Sequence, residues 1–294
     1  MRTAKTVLTV IQERGKQKKP IERVYKLLFN RELYLNAYAK LYPNNGAMTK
    51  GVTDETVDGM SIQKIDRMIE ILREEKYQWK PARREYIKKK NGKKRPLGIP
   101  VWGDKVLQEV MRQILEAYYE PQFSEHSHGF RPNRGCHTAL QEIQVWKGTR
   151  WFIEGDISQY FDTIDHKILL EILARNIHDG RFIRLVSNML EAGYLEEWKF
   201  NQTISGVPQG GVISPILANI YLNEFDNWIE EVLIPKYTKG KRQKSNPEYN
   251  KLTAEIQKLR KEGDAKTAHQ LVVERRKIPV SYTHLRAHET RSNL

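Results

Sequence analysis

Cysteine is nearly absent from this chain of 294 residues, and the lone Cys136 excludes an internal disulfide. The fold must therefore be held by packing, and a reducing, cytoplasmic setting is expected. No run approaches the ~18 consecutive apolar residues of a membrane-spanning helix, so no membrane partner is expected. Residues Met1 to Pro20 are basic but lack a continuous apolar stretch and a small-residue cleavage site, so no secretory signal is read there. No internal repeat is visible. Acidic residues are in deficit, 36 against 50 Lys and Arg, which leaves a formal net charge of +14.

That excess is concentrated in two stretches. Lys80 to Arg95 holds nine Lys/Arg and one Glu, a net of +8. Lys236 to Lys277 holds 13 Lys/Arg and five Asp/Glu, again +8, so the remainder is close to neutral. Two basic patches on a near-neutral body point to a polyanion, most simply nucleic acid. Hydrophobic residues at 39% and aromatics at 10% are enough to build a core, in one large domain or two ordinary ones.

Spacing gives the elements. Val24, Leu27, Leu28, Leu35, Tyr38 and Leu41 recur at helical intervals over residues 21–42, until Pro43-Asn44-Asn45-Gly46 breaks the pattern. Lys50 to Gly59 reads as a loop. Ser61 is a predicted cap for a helix burying Ile62, Ile65, Met68, Ile69 and Leu72. Tyr86-Ile87 and Leu97-Gly98-Ile99 read as short strands joined by a basic tip with the turn signal Asn91-Gly92. Asp104 is the expected cap of a helix burying Val106, Leu107, Val110, Met111, Ile114, Leu115 and Tyr118. Glu125 to Thr138 is a polar loop. Helices are expected near Lys167 to Ile177 and Phe182 to Ala192, with Gly193 as a stop. Ser214-Pro215 starts another helix, after a Gly/Pro/Gln loop from Thr203 to Gly211. Ser245 to Lys277 reads as a basic helical hairpin around Gly263-Asp264.

The chemistry concentrates in Phe152-Ile153-Glu154-Gly155-Asp156-Ile157-Ser158-Gln159-Tyr160-Phe161-Asp162. An apolar run from Trp151 to Ile153 leads into an acid, with an aromatic five residues beyond it. Hard divalent cations need converging carboxylates, and an acid at a strand end suits that role. On its own, this spacing fits a turn-capping acid better. It does not stand alone. Gly206-Val207-Pro208-Gln209-Gly210-Gly211-Val212-Ile213-Ser214-Pro215, Arg95-Pro96-Leu97-Gly98-Ile99-Pro100 and His128-Gly129-Phe130-Arg131-Pro132-Asn133-Arg134-Gly135-Cys136 accompany it in order. Together with Thr56-Val57-Asp58-Gly59, these blocks resemble the group II intron reverse transcriptase/maturase family over roughly residues 50–277.

The resemblance implies an α/β fold, a right-hand polymerase with fingers and a partial palm. A helical N-terminal extension (1–80) would be followed by fingers and palm (81–235), a basic helical insertion (236–277) and a tail (278–294). It implies an RNA-directed DNA polymerase using Mg2+, with intron RNA template, DNA primer and dNTPs as partners. Asp156 would be the catalytic, metal-ligating carboxylate, and Ile157 would lend its carbonyl to the metal. Phe161 would be the steric gate against a ribose 2′-hydroxyl, and Gln209 would contact the incoming nucleotide. Lys89 and Arg95 would hold its triphosphate, with Lys88 and Lys90 near-equivalent to Lys89. Arg131 and Arg134 would touch template or primer phosphates. Cys136 gets no catalytic role. His126, His128 and His137 lack thiolate or carboxylate partners at zinc-ligand spacing, so zinc is not expected.

The family also places two adjacent aspartates after the basic insertion. This sequence has no adjacent Asp pair and ends 84 residues after Gly210. The palm's remainder, the thumb and any endonuclease domain are expected to be missing, and the chain to be inactive alone. Ser281 to Leu294 has no periodicity and reads as a non-native tail, translated adaptor sequence. The alternatives are a non-enzymatic RNA-binding splicing cofactor and a retron-type reverse transcriptase.

Overall fold

The computed structural model describes residues 2–88, 92, 94–146, 154–197, 199–203, 205–207, 210–237 and 246–278. The predicted strand at Trp151 to Ile153, Asn91 in the hairpin turn and the tail from 279 onward lie outside these residues.

The chain opens with a helix, α1 (Ala4–Lys16), absent from the sequence reading. Its buried positions Ala4, Ile11 and Gly15, with Val7 and Leu8 packed beside them, do carry helical spacing. A short strand β1 (Ile21–Glu22) follows. The helix expected over 21–42 is divided: a 3-10 turn (Val24–Phe29) precedes α2 (Arg31–Leu41). Asn30 divides them, because its extended backbone ends the first piece and its side chain caps Glu32 N–H of the second. α3 (Ile62–Arg73) starts at Ser61, whose hydroxyl accepts from Lys64 N–H as the sequence implied.

Strands β2 (Ala82–Lys88) and β3 (Lys94–Ile99) form the expected antiparallel hairpin. The helix α4 (Trp102–Tyr119) then runs for 18 residues, ~27 Å at 1.5 Å per residue. Every one of its residues is buried or half-buried, so it acts as the central beam. Its cap is Val101 rather than Asp104. Asp104 sits inside the first turn and is drawn outward, accepting from Tyr77 Oη at 2.6 Å and Lys80 N–H at 3.0 Å.

Beyond the polar loop come α5 (Cys136–Gln144), the short α6 (Tyr160–Thr163) and α7 (His166–Asn176). Then follow strand β4 (Ile177–His178), α8 (Gly180–Glu191), and strands β5 (Tyr194–Glu196) and β6 (Lys199–Asn201). β5 and β6 extend the hairpin into a four-stranded sheet of order β3-β2-β5-β6, with β2 and β5 parallel. A second, two-stranded sheet pairs β1 with β4 in parallel, Ile21 against Ile177. Beside it Tyr25 N–H donates to the carboxylate of Asp179 at 2.9 Å, across 154 positions of chain.

α9 (Ser214–Trp228) continues through a π turn (Ile229–Leu233) into α10 (Ile234–Tyr237). The expected helical hairpin forms from α11 (Pro247–Lys261) and α12 (Ala265–Arg275), with Gly263 at φ +83° in the turn and Asp264 capping. One core joins α1, α2, α4, α7, α8 and α9. Among the described residues, no helix is long and apolar enough to cross a membrane.

α1 meets α4 at unusually close range: a Cβ on Gly15 would lie 2.1 Å from the carbonyl oxygen of Tyr118. Gly15→Ala is expected to lower stability by roughly 3 kcal/mol, read as a lower urea midpoint at unchanged slope. Burial pushes the Asp104 carboxyl up to about 6 from 3.8, although the donors Tyr77 and Lys80 pull the other way. Stability from this group is full below its unfolded value and is lost as pH rises through about 6. The gap of about two pH units corresponds to roughly 3 kcal/mol. Asp104→Asn is therefore expected to flatten the fall of the urea midpoint between about pH 4 and 7, relative to wild type.

Candidate active site

The loop after β6 is the piece on which the other motifs converge. Val207 N–H donates to the carbonyl of Phe161 at 2.7 Å, and Gly206 N–H to that of Ile164 at 2.8 Å. Ser205 Oγ adds a bond to Asp162 O at 3.1 Å, and His166 Nε2 lies 2.6 Å from Gly206 O. Glycine is required here. Gly206 has φ +88°, and a Cβ would meet Phe161 O at 2.7 Å. At the other end of the loop Gly210, at φ +107°, packs on the β2–β3 hairpin, where a Cβ would meet Gly98 O at 2.6 Å and Leu97 Cδ1 at 2.7 Å. The loop thus bridges the Phe161 turn and strand β3. Gln209, expected to contact the nucleotide, lies outside the described residues, but Val207 and Gly210 on either side of it are pinned.

The far side of the loop is fixed by α4 and α9. Gln108, buried in α4, accepts Val212 N–H at 2.9 Å. Tyr160 Oη donates to Ala218 O at 2.8 Å, and Asn219 Nδ2 donates to Gly129 O at 2.9 Å. This last bond brings in the His128 to Cys136 block. Phe130, at φ +55°, meets Phe161 edge to face at 6.2 Å, and Tyr160 meets it at 5.7 Å. Phe161 is half-buried against the core and therefore held in one place. Gln108, Tyr160, His166 and Asn219 had no role assigned from the sequence. Tyr160 stands inside a quoted motif, and Gln108 shows as a polar residue set within an apolar stripe.

Asp156 and Ile157 are exposed, in irregular backbone at 154–157 where the sequence predicts a strand end. A strand exists by pairing, and among the described residues neither of the two sheets, β1-β4 and β3-β2-β5-β6, includes them. Arg95 lies on β3, opposite Ile87 of β2; Lys89 lies outside the described residues.

Cross-strand partners share a face, so Arg95, Ile87 and Leu97 stand on the side that Gly210 approaches.

Arg131 is placed differently from an open phosphate contact. It is buried, and its guanidinium bonds Glu120 Oε1 at 3.1 Å and the carbonyls of Ser124 and Ser127 at 2.5 and 2.7 Å. It also stacks over the Phe123 ring at 5.3 Å. The partners are carbonyls at either end of one turn and the Glu120 carboxylate before it, so the side chain holds the polar loop closed. Arg134 is half-exposed and donates to Glu125 O. His128 Nδ1 bonds Thr138 at 2.8 Å and its Nε2 bonds Glu142 at 3.0 Å, while His126 bonds the other oxygen of Glu142. Among the described residues, no group of three or more His, Cys, Asp or Glu could hold a metal ion.

Arg131→Ala removes the buried guanidinium that bonds Glu120 and the Ser124 and Ser127 carbonyls, so a loss of roughly 2 kcal/mol is expected by urea denaturation. Arg134→Ala should stay within about 0.5 kcal/mol of wild type. Unchanged stability with weaker RNA binding in Arg131→Ala would assign it to phosphate instead.

Comparison with known proteins agrees with this convergence. The family model for reverse transcriptase (RNA-dependent DNA polymerase) matches residues 87–242, just over half the chain. Members of the family generally use a divalent metal ion. The group II intron-encoded protein LtrA of Lactococcus lactis subsp. cremoris is 45% identical over 266 residues, 87% of this chain and 44% of the relative. A 91 kDa protein in the cob intron of Schizosaccharomyces pombe is 43% identical over 288 residues, 94% of this chain and 35% of that protein. A putative COX1/OXI3 intron 1 protein of Saccharomyces cerevisiae is 41% identical over 236 residues, 80% of this chain and 28% of that one. The chain spans less than half the length of these relatives. With matching blocks drawn to one place in the fold, the chain belongs to the reverse transcriptase family, in its group II intron-encoded branch.

Proposed function

We propose that this chain is the fingers and palm portion of an RNA-directed DNA polymerase that copies intron RNA onto a DNA primer from dNTPs. The parent protein also binds its intron RNA as a maturase. The observation that carries the reading is the Gly206 to Gly211 loop, hydrogen-bonded to the Phe161 turn at one end and packed on β3 at the other. Motifs far apart in sequence that meet on one loop are the arrangement a bound substrate would use. Residues 1–80 serve as the N-terminal extension, 81–235 as fingers and palm, and 236–277 as a basic insertion against structured RNA.

In this reading Phe161 presents its ring where a ribose 2′-hydroxyl would stand, so deoxynucleotides are selected by exclusion. Phe130 and Tyr160 both pack against that ring. Gln209 contacts the nucleotide from the loop, and Arg95 with Lys89 holds the triphosphate by charge-assisted bonds. Asp156 and the Ile157 carbonyl are hard oxygen donors of the kind Mg2+ takes. They do not form a complete site. Two cations ~4 Å apart repel strongly, and one carboxylate does not offset that. The residues present therefore do not fit the ion pair by themselves, and no step is derived through it.

The test is primer extension on an RNA template by the protein expressed from its own gene, with Asp156→Ala alongside. Extension is expected to fall by about 1000-fold, roughly 4 kcal/mol of barrier, with RNA affinity within about twofold of wild type. Equal extension by the variant would remove Asp156 from the mechanism. Tight RNA binding without extension by either protein would favour the non-enzymatic splicing cofactor.

A further inference from the structure

The Gly206 end of the loop rests on two unlike supports. Its main-chain bonds, to the carbonyls of Phe161 and Ile164, reach only the four-residue α6 and the turn after it. α6 has little hold of its own, since Gln159 before it stands at φ +52° and supplies no side-chain cap. The second support is a side chain. His166 opens α7, a helix of 11 residues seated in the core by Leu169, Ile172 and Leu173. The first turn of α7 is fixed by Asp165, whose carboxylate accepts Ile168 N–H at 2.9 Å. From that base His166 Nε2 reaches the carbonyl of Gly206 at 2.6 Å. A carbonyl only accepts, so Nε2 carries the hydrogen, in the neutral ring or the imidazolium alike.

The imidazole does not fill the core. It is half-buried and stands on the wall of an open cleft of about 640 Å3, beside Lys167, Glu171 and Glu191. What it supplies that an apolar side chain would not is one directed N–H. That N–H acts on a residue with no slack toward Phe161. A Cβ on Gly206 would meet Phe161 O at 2.7 Å and Asp162 Cα at 2.8 Å, and the next N–H, of Val207, is bonded to the same Phe161 carbonyl. A shift of Gly206 is therefore passed to the Phe161 main chain. The far end of the loop has its own tie, Gln108 on Val212 N–H. Loss of the His166 bond would free the end beside Phe161 and leave the other attached.

We propose that His166 is a positioning residue for nucleotide selection: through Gly206 it holds the Phe161 turn where the ring excludes a ribose 2′-hydroxyl. It touches no substrate itself. This role rests on the polymerase reading, with Phe161 as the gate.

The test is single-nucleotide primer extension on an RNA template by the protein expressed from its own gene, with kcat and KM measured for dTTP and for UTP. His166→Phe keeps an aromatic ring and removes the N–H, whereas His166→Gln carries an amide N–H at nearly the same reach. One net hydrogen bond corresponds to a factor of about 3–10, so the preference for dTTP over UTP in His166→Phe is expected to fall by that factor. The fall is expected mainly in the two KM values, with kcat for dTTP within about twofold of wild type. His166→Gln should restore the preference, and Lys167→Ala, its neighbour in the chain, should leave it unchanged. A role in packing alone would weaken extension with both nucleotides together and leave their ratio as it was. Should His166→Phe melt lower than wild type, His166→Ala, which cannot overfill the site, makes the same comparison. Wild-type preference in the variants lacking the N–H, or an equal loss in His166→Gln, would overturn the role of His166 and leave the polymerase reading standing. Absence of extension by the wild-type protein would overturn that reading and this role with it.

Discussion

Helix α4 has no fully exposed residue, and much of the molecule follows from that. The polar groups it buries find their partners across the chain. Asp104 takes the segment before β2, Gln108 takes the loop at Val212, and Glu109 takes Arg112 at 2.7 Å and Lys40 of α2 at 3.2 Å. Each solution ties a different part of the chain to one rod. The N-terminal helices, the fingers sheet and the Gly-rich loop are thereby placed relative to one another by bonds from successive turns of the same helix. A shift of α4 would be felt at all three.

The basic patches and the neutral core divide the labour. The core fixes the loop, the Phe161 turn and the hairpin by packing and main-chain hydrogen bonds, which salt does not screen. The charge stays outside, along β2 and β3 and on the α11–α12 hairpin, where screening by salt at the ~10 Å scale makes polyanion binding adjustable. Arg131 is an exception, since it lies inside and works on its own protein.

Periodicity made much of the fold legible. The apolar stripe of α4 is buried as expected, Ser61 caps α3, and Gly193 at φ +72° ends α8. What could not be read required partners distant in sequence. β5 and β6 are too short to announce themselves; β5 exists by pairing with β2, and β6 by pairing with β5. Asn30 interrupts a helical pattern through a cap that spacing does not reveal. Asp104 offered a cap in sequence but found better donors in Tyr77 and Lys80. At the site, the motifs were legible as blocks, whereas the bonds between them were not. A charge such as that of Arg131 is visible in sequence, but the carboxylate and carbonyls that claim it are not.

The β1–β4 pair carries a consequence for synthesis. Ile21 is held by Ile177, and Tyr25 by Asp179, so the first strand has no mate until more than 150 further residues exist. At ~5–20 residues per second, that is a wait of roughly 8–30 s for a chain growing on a ribosome. During it the apolar faces of α1 and α2 have α4, with α3 beside α2, for cover. Nascent chains of this protein should thus pass through a stage in which the N-terminal segment is a client for chaperones, and release from that stage comes when β4 emerges.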